Sequence, residues 1–295
     1  MKKNERESIV FDSGGQWCSG WYYRALQEKT ACVVLAHGFA SVKEMGLDAY
    51  AKRFHQAGYH VVVFDYRYFG ESQGLPRQLL DIRSQIKDWH AAVAYARSLP
   101  GVDEKKIVLW GTSLSGGHVA QVASRDPDIA AVISQVPHMS GVSSALLQGP
   151  RQMIRLSFAA FTDSMRRAFG RTPRYIDIFG PEGALAAMTG PGEFEGAEQL
   201  FPDGVEVDRR VAARFAFPLL GYSPGRRAGK VRAPWLVQVA LKDITVPFVP
   251  AVKAAESAPE ATLITYDHGH FDSYVGQGFN RFVQDQLVFL AMQLD

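Results

Sequence analysis

The serine at position 113 has the local sequence of an activated nucleophile. Residues 107–110 are apolar and are followed at 111–117 by small residues with one leucine among them, which predicts a strand, a sharp turn and a helix in succession. A serine on such a turn projects its hydroxyl above the sheet and faces the positive end of the helix dipole. The turn needs small residues two positions away on both sides. Gly111 and Ser115 meet that need, although an ordinary glycine-rich turn with a capping serine has the same composition.

Ser115 is a rival nucleophile because it also has small residues two positions away on both sides. Ser113 precedes it and Gly117 follows it. Trp110 is the last apolar residue of the predicted strand, so Ser115 would already lie in the first helical turn. The distance from the strand therefore favours Ser113.

An activated serine needs a histidine that accepts its proton and a carboxylate that orients the histidine. Asp243 follows the apolar run 235–239, and His270 follows the run 262–266. Both are expected at the carboxyl ends of late strands, where open α/β sheets place their sites. His268 is a weaker alternative base because it lies farther from the last helix. Asp272 is an alternative acid, although an N-cap or surface role suits it better.

A reacting carbonyl also needs donors for the negative charge that develops on its oxygen. The apolar run 31–36 leads into His37, Gly38 and Phe39, and we assign one donor to the backbone N–H of Phe39. The N–H of Leu114 is the second. Gly38 would permit a tight turn and His37 would brace the loop, whereas the alternative is a turn with no role beyond ending the strand.

Apolar runs without strict alternation predict strands that are covered on both faces, as in a parallel sheet flanked by helices. Proline and glycine at 100–101 close the amphipathic segment before them. The predicted strands are 31–36, 60–64, 107–110, 130–136, 234–239 and 262–266, and the predicted helices are 43–57, 82–99, 114–124, 251–257 and 273–293.

Residues 139–232 interrupt this alternation with a stretch rich in Met, Phe, Arg, Pro and Gly. Short helices are expected at 144–169 and 182–188, with no clear strand. The stretch has 13 basic and 9 acidic residues, which fits either an anionic substrate group or a solvated surface. We expect a core in two parts, 1–138 and 233–295, separated by a cap at 139–232.

Several residues of and beside this cap are candidates for binding substrate. His138 follows a predicted strand, and it either lines the pocket or is a simple loop histidine. Met153, Phe158 and Phe161 could line an apolar acyl pocket, or they could pack the cap itself. His118 lies within a predicted helix and is expected to be a packed residue.

Composition excludes several other classes of function. A net charge of +2 over 295 residues argues against a nucleic-acid partner. Cys18 and Cys32 exclude a disulfide framework and an all-cysteine zinc site, and two buried thiols in a reducing compartment are the simpler expectation. His268 and His270 lack a third metal ligand and an H-E-x-x-H motif, so we expect no metal. No apolar stretch resembles a signal-peptide core or a membrane span, so we expect a cytoplasmic protein without membrane attachment.

With these residues in place, the sequence resembles the α/β-hydrolase superfamily. It is most similar to the branch of dienelactone hydrolases and X-prolyl dipeptidyl peptidases, which includes esterases and polyketide acyltransferases. The stretches that support this are 37–39, 43–45, 64–72, 110–117 and 269–272. The resemblance implies a doubly wound, mostly parallel sheet with a mainly helical cap inserted after the sixth strand. It also implies structural roles for Asp65 and Arg67 beneath the active site.

The resemblance further implies a serine hydrolase that needs no cofactor. We expect it to cleave a carboxylic ester or thioester of a medium-sized, partly apolar acyl substrate through an acyl-enzyme on Ser113. Acyl transfer in a biosynthetic pathway uses the same three residues and is the first alternative. A non-catalytic ligand-binding homologue is the second. The sequence does not indicate the oligomeric state.

Overall fold

The computed structural model describes residues 6–27, 29–202 and 204–294. Within these residues, eleven strands form two sheets. They are β1 (Glu7–Asp12), β2 (Trp17–Tyr23), β3 (Thr30–Ala36), β4 (His60–Phe64), β5 (Val102–Thr112), β6 (Ile129–Gln135), β7 (Tyr175–Phe179), β8 (Ala186–Met188), β9 (Arg210–Ala212), β10 (Trp235–Ala240) and β11 (Ala261–Tyr266).

The helices complete the alternation that the sequence predicts. They are α1 (Leu47–Gln56), α2 (Ile82–Ser98), α3 (Leu114–Ala123), α4 (Gly141–Leu147), α5 (Gly149–Ala168), α6 (Glu193–Glu198), α7 (Ala216–Gly221), α8 (Val249–Ser257) and α9 (Gly276–Leu294). Short 3₁₀ helices lie at Ala213–Phe215, Pro224–Lys230 and Phe271–Tyr274.

The main sheet has eight strands in the order β1-β2-β4-β3-β5-β6-β10-β11. The contacts β1–β2 and β2–β4 are antiparallel, and every other pairing in this sheet is parallel. This confirms the predicted doubly wound, mostly parallel sheet. The amino-terminal hairpin of β1 and β2 was not predicted, because its apolar run at 9–11 is too short to show a period of its own.

Strand β3 shows why its apolar run has no polar alternation. Val33 and Leu35 belong to the core beside α1 and α9, whereas Val34 and Ala36 belong to the core beside α2 and α3. Each successive side chain therefore points into a different buried layer. The carboxyl ends of β3, β5, β10 and β11 meet at one edge of the sheet, and this edge positions the candidate site.

Residues 139–232 depart from the expectation of helices alone. They contain a small sheet in the order β8-β7-β9, and β8 lies where a helix at 182–188 was predicted. That prediction was wrong because β8 is only three residues long and is formed by pairing with β7, so it has no periodicity of its own. The 3₁₀ helix at Pro224–Lys230 packs against α3 and α8 of the main layers. The division at 138/139 and 232/233 stays a prediction.

Buried ion pairs stabilise the loops beneath the site. Lys43 Nζ lies 2.8 Å from Asp65 Oδ2, and the Lys43 backbone N–H donates to Asp65 Oδ1 at 2.7 Å. Arg67 Nε donates to Asp88 Oδ1 at 2.7 Å. Because these charges are buried, each depends on its partner, and removing one partner would leave the other uncompensated. The contacts agree with the structural roles that the resemblance implies for Asp65 and Arg67.

Two further findings concern the chain as a whole. Cys18 and Cys32 are free and buried, as predicted, and burial raises the pKa of both thiols. In the described part of the chain, no helix combines the length and apolar character needed to span a membrane.

Candidate active site

Ser113 lies on a sharp turn between β5 and α3. Its φ of 55° and ψ of −121° are outside the regions that residues with a side chain prefer, so the turn holds backbone strain. Its N–H donates to Gln135 O at 2.9 Å. A Cβ at Gly111 would lie 2.3 Å from Ser115 O, which explains why the position two residues before Ser113 is glycine. The strand, turn and helix predicted around Ser113 are present.

The surroundings of the two candidate serines differ. The Ser115 hydroxyl is fully buried and lies 2.7 Å from Tyr66 OH, which also accepts a hydrogen bond from Trp89 Nε1 at 2.7 Å. Ser113 instead lines a cavity. Ser115 is therefore part of a buried hydrogen-bond network, and only Ser113 of the two faces a space that a substrate could occupy.

The structure brings His270 and Asp243 together across two loops. His270 Nδ1 lies 2.6 Å from Asp243 Oδ2, and both side chains are almost completely buried. Asp243 Oδ1 accepts the backbone N–H groups of Thr245 at 2.9 Å and Val246 at 2.7 Å. Because a carboxylate only accepts hydrogen bonds, it places the imidazole proton on Nδ1 and leaves Nε2 free to accept a proton.

The alternative base and acid lie in a different environment. His268 Nδ1 is 4.0 Å from Asp272 Oδ2, and both side chains are exposed to solvent by more than a third. Asp272 Oδ2 accepts the N–H of Gly269 at 2.8 Å. These contacts stabilise a surface turn. The geometry therefore favours His270 and Asp243 over His268 and Asp272.

The loop after β3 approaches Ser113 closely. A Cβ at Gly38 would lie only 2.8 Å from Ser113 Cβ. Phe39 and Leu114 line the cavity beside Ser113, and within the described residues neither backbone N–H donates to a protein acceptor. The two N–H groups are therefore available to an oxyanion, and their role as its donors stays a prediction.

His37 supports this loop rather than transferring protons. Its Nδ1 lies 3.1 Å from Gly38 O, and its ring packs edge-on against Tyr66. Burial lowers the pKa of His37 to about 4, so the imidazole is neutral near pH 7. Its position matches the predicted bracing role.

The cavity at Ser113 has a volume of about 130 Å³. Its walls come from the loop after β3, from the turn between β5 and α3, and from α4, α5 and α7. Most of the lining is apolar, and its members include Phe39, Leu114, Met153, Leu156, Ala187, Met188, Phe215, Leu219, Leu220 and Val246. Such a shape suits an apolar acyl chain that ends at the serine.

Of the four residues predicted to bind substrate, His138 and Met153 line this cavity, whereas Phe158 and Phe161 do not. Phe158 is 63% exposed and Phe161 is 56% exposed, so that part of the prediction is corrected. Helix α5 has apolar residues on two opposite faces, and Met153 and Phe158 belong to different faces. The sequence alone did not reveal which face is turned inward.

Two buried histidines near the cavity are neutral. Burial lowers the pKa of His138 to about 4 and that of His118 to about 3. His138 Nδ1 lies 3.1 Å from Ser144 Oγ, and its backbone N–H donates to Ser113 O at 2.9 Å. His118 Nδ1 lies 2.7 Å from Tyr222 OH. His118 is thus the packed helix residue that the sequence predicts.

Sequence reasoning missed Glu193, a carboxyl group beside the candidate acid and base. It begins α6, is buried, and accepts the N–H of Gly190. Burial raises its pKa, while the nearby His270 acts to lower it. Glu193 belongs to an acidic, glycine-rich stretch in which Glu195 is exposed. No pattern in the sequence separates the buried glutamate from the exposed one.

Replacing Gly38 with alanine is expected to lower turnover by about 100-fold, because the new Cβ would push the Phe39 loop away from Ser113 and a displacement near 1 Å has that cost. Steady-state kinetics on an activated ester would measure it. Gly221 is the matched control, since a Cβ there meets nothing within 4 Å. Unchanged turnover in Gly38→Ala would show that the loop does not supply a donor.

Comparisons with known proteins agree with this geometry. Residues 32–176 match the family model described as alpha/beta hydrolase fold. The chain is 42% identical over 283 residues to the quorum-quenching protein AidA of Acinetobacter baumannii (strain MDR-ZJ06), covering 96% of this chain and 93% of that protein. The chain belongs to the alpha/beta hydrolase fold family.

Two further comparisons extend over nearly the whole chain. The polyketide transferase ATR5 of Stachybotrys chlorohalonatus (strain IBT 40285) is 27% identical, with 98% of both chains covered. The crystal structure of the alpha/beta hydrolase GrgF from Penicillium sp. sh18 superposes with a TM-score of 0.81 at 24% identity, covering 98% of this chain and 99% of that one. The structural match shows that this chain shares the fold of GrgF over nearly its whole length.

Proposed function

We propose that this alpha/beta hydrolase cleaves a carboxylic ester or thioester of a small acyl substrate through an acyl-enzyme on Ser113. One observation carries the proposal: the strained turn presents Ser113 to a cavity at the sheet edge where His270 and Asp243 are paired at 2.6 Å. A serine, a buried histidine and a buried carboxylate in this arrangement are the components of nucleophilic acyl transfer.

In the proposed first step, Ser113 Oγ attacks the acyl carbon while His270 Nε2 accepts the hydroxyl proton. Asp243 stabilises the imidazolium that forms, and the N–H groups of Phe39 and Leu114 donate to the oxyanion. His270 then gives its proton to the leaving alcohol or thiol. Water repeats the sequence on the acyl-enzyme and releases the acid.

The substrate class follows from the cavity. About 130 Å³ of mostly apolar space favours a medium-length acyl chain over a polymer or a bulky peptide. We assign residues 139–232 to a cap that supplies most of these walls, and we place His138 and Met153 among the residues that contact the acyl group. Phe158 and Phe161 are left out because they face solvent.

Acyl transfer to another molecule is the second candidate. The full-length similarity to a protein named polyketide transferase supports it, and the chemistry differs only in which acceptor reaches the acyl-enzyme. The similarity to a quorum-quenching protein supports hydrolysis of a small signal molecule instead. Free buried thiols at Cys18 and Cys32 are consistent with a cytoplasmic enzyme, which we propose as its compartment.

A substrate panel tests the proposal and separates its alternatives. The purified protein would be assayed with p-nitrophenyl esters, acyl thioesters and acylated lactones of increasing chain length, each with and without added alcohol or amine acceptors. Hydrolysis that is optimal at medium chain length is expected. Product formed only with an acceptor would favour the transferase. A folded protein with no turnover on the panel and no labelling by a fluorophosphonate would overturn both.

A further inference from the structure

Helix α5 has an apolar stripe on the side that faces solvent. Residues of its inner face, among them Leu156, Ala159 and Ala160, pack against the rest of the chain. The opposite face and the C-cap residue Phe169 present five large apolar side chains, each between 42% and 72% exposed: Ile154, Phe158, Phe161, Met165 and Phe169. We call these five residues the outer stripe. Nothing in the proposed chemistry uses them.

The two helices that pack against α5 also expose apolar side chains. α4 and α7 pack against α5 and expose Val142, Leu146, Leu147, Phe217 and Leu220. Together with the outer stripe, these side chains expose on the order of 900 Å², taking roughly 150–200 Å² for a large apolar side chain. A typical stable interface buries about 800 Å² per partner, whereas monomers rarely expose an apolar patch of more than a few hundred Å².

The spacing of the outer stripe is self-complementary. Its members are separated by 4, 3, 4 and 4 residues, the spacing of a helix–helix seam. If a second copy of α5 lay antiparallel and centred near Phe161, Ile154 would oppose Phe169 and Phe158 would oppose Met165. Phe161 would meet Phe161 of the other copy. A two-fold symmetric interface requires this kind of match of a surface with itself.

Two arginines of α5 beside the stripe are bonded to their own chain. Arg155 donates to Gly183 O at 2.6 Å and to Ala184 O at 3.1 Å, and Arg166 donates to Thr172 O at 2.7 Å. Both guanidinium groups are therefore turned onto their own chain. These bonds reduce the repulsion that two free guanidinium groups would cause across a symmetric seam. Arg151 and Arg167 of the same helix are exposed, and the Arg174 guanidinium lies 5.7 Å from the centre of the Phe158 ring.

We propose that the outer stripe is the centre of a homodimer interface in which two copies of α5 pack antiparallel. Phe217 and Leu220 line the cavity, and they belong to α7, which packs against α5. The second copy would accordingly lie beside the cavity.

Sedimentation-velocity ultracentrifugation over a wide concentration range tests the dimer. Wild-type protein is expected to be dimeric, and the double variant Phe158→Glu, Phe161→Glu is expected to raise the dissociation constant by at least about 100-fold, since central aromatic residues dominate interface energies. Met292→Glu is the matched control, because Met292 is 75% exposed on α9. This variant should stay dimeric. Phe161→Leu should also stay dimeric. Thermal unfolding of each variant would confirm that it is folded.

Three results would overturn the proposal. The first is a wild-type protein that remains monomeric at every concentration. The second is a dimer whose dissociation constant does not change in the folded double variant, since the interface would then lie elsewhere. The third is a monomer that cosediments with vesicles of phosphatidylcholine and phosphatidylglycerol and loses that binding in the double variant, because the stripe would then contact lipid.

Discussion

Ser113→Ala is expected to lower the rate of ester hydrolysis by roughly 10⁴–10⁶-fold, because loss of the nucleophile leaves only the oxyanion donors and substrate binding. The substitution removes one oxygen from a side chain that faces the cavity, so the fold should tolerate it. Steady-state kinetics on the best ester of the panel would measure the loss. Mass spectrometry after fluorophosphonate treatment would show whether the label on residue 113 disappears.

Ser115→Ala is the matched control for this prediction. It removes the hydrogen bond to Tyr66 OH and should cost about 1 kcal/mol of stability, while catalysis and labelling of Ser113 change little. If Ser113→Ala protein were still labelled, and the label lay on Ser115, the nucleophile would be reassigned to Ser115. If the Ser113→Ala protein remained active but carried no label on Ser115 or elsewhere, an acyl-serine mechanism would be excluded.

Asp243→Asn is expected to lower kcat by about 10⁴-fold, the size of the equivalent change in another serine enzyme. The amide can keep accepting the N–H groups of Thr245 and Val246 through its oxygen, which would turn its NH₂ towards His270 Nδ1. His270 would then carry its proton on Nε2 and could not accept one from Ser113. KM should change far less than kcat, because Asp243 does not line the cavity.

Asp272→Asn is the control for the carboxylate. Asp272 is exposed and accepts the N–H of Gly269, so its replacement should leave kcat within a few-fold of the wild type. Retention of more than a tenth of the activity in Asp243→Asn would exclude Asp243 as the orienting acid. Glu193→Gln would then be examined, because Glu193 is the other buried carboxyl group beside His270.

Local sequence was sufficient for the parts of the fold that repeat. The run at 31–36 predicted β3 because every residue of a parallel strand covered on both faces is apolar. The segment 82–99 predicted α2 to within one residue, since Asp81 caps it by accepting Ser84 N–H. By contrast, β7, β8 and β9 escaped prediction. β8 and β9 have three residues each, which is too few to show an alternating pattern, and β7 is held by pairing with both of them.

The residues of the candidate site also differ in how far the sequence alone predicted them. The small residues around Ser113 predicted the turn because a Cβ at Gly111 has no room there, whatever the rest of the chain does. The loops that follow β10 and β11 indicated Asp243 and His270 and ranked them above Asp272 and His268. Their tertiary approach to 2.6 Å adds the pairing itself. Glu193 could not have been found, because its burial depends on how α6 packs.

The sequence by itself determined the strand, turn and helix around Ser113 and the doubly wound sheet, because each rests on local sterics or on a repeating apolar pattern. Tertiary structure alone decided which face of α5 is turned inward, and so placed Met153 at the cavity and Phe158 and Phe161 in solvent. The physical reason is that an amphipathic pattern reveals the direction of burial only when one face is polar. Helix α5 is apolar on both faces, so the packing of α4 and α7 around the cavity made the choice.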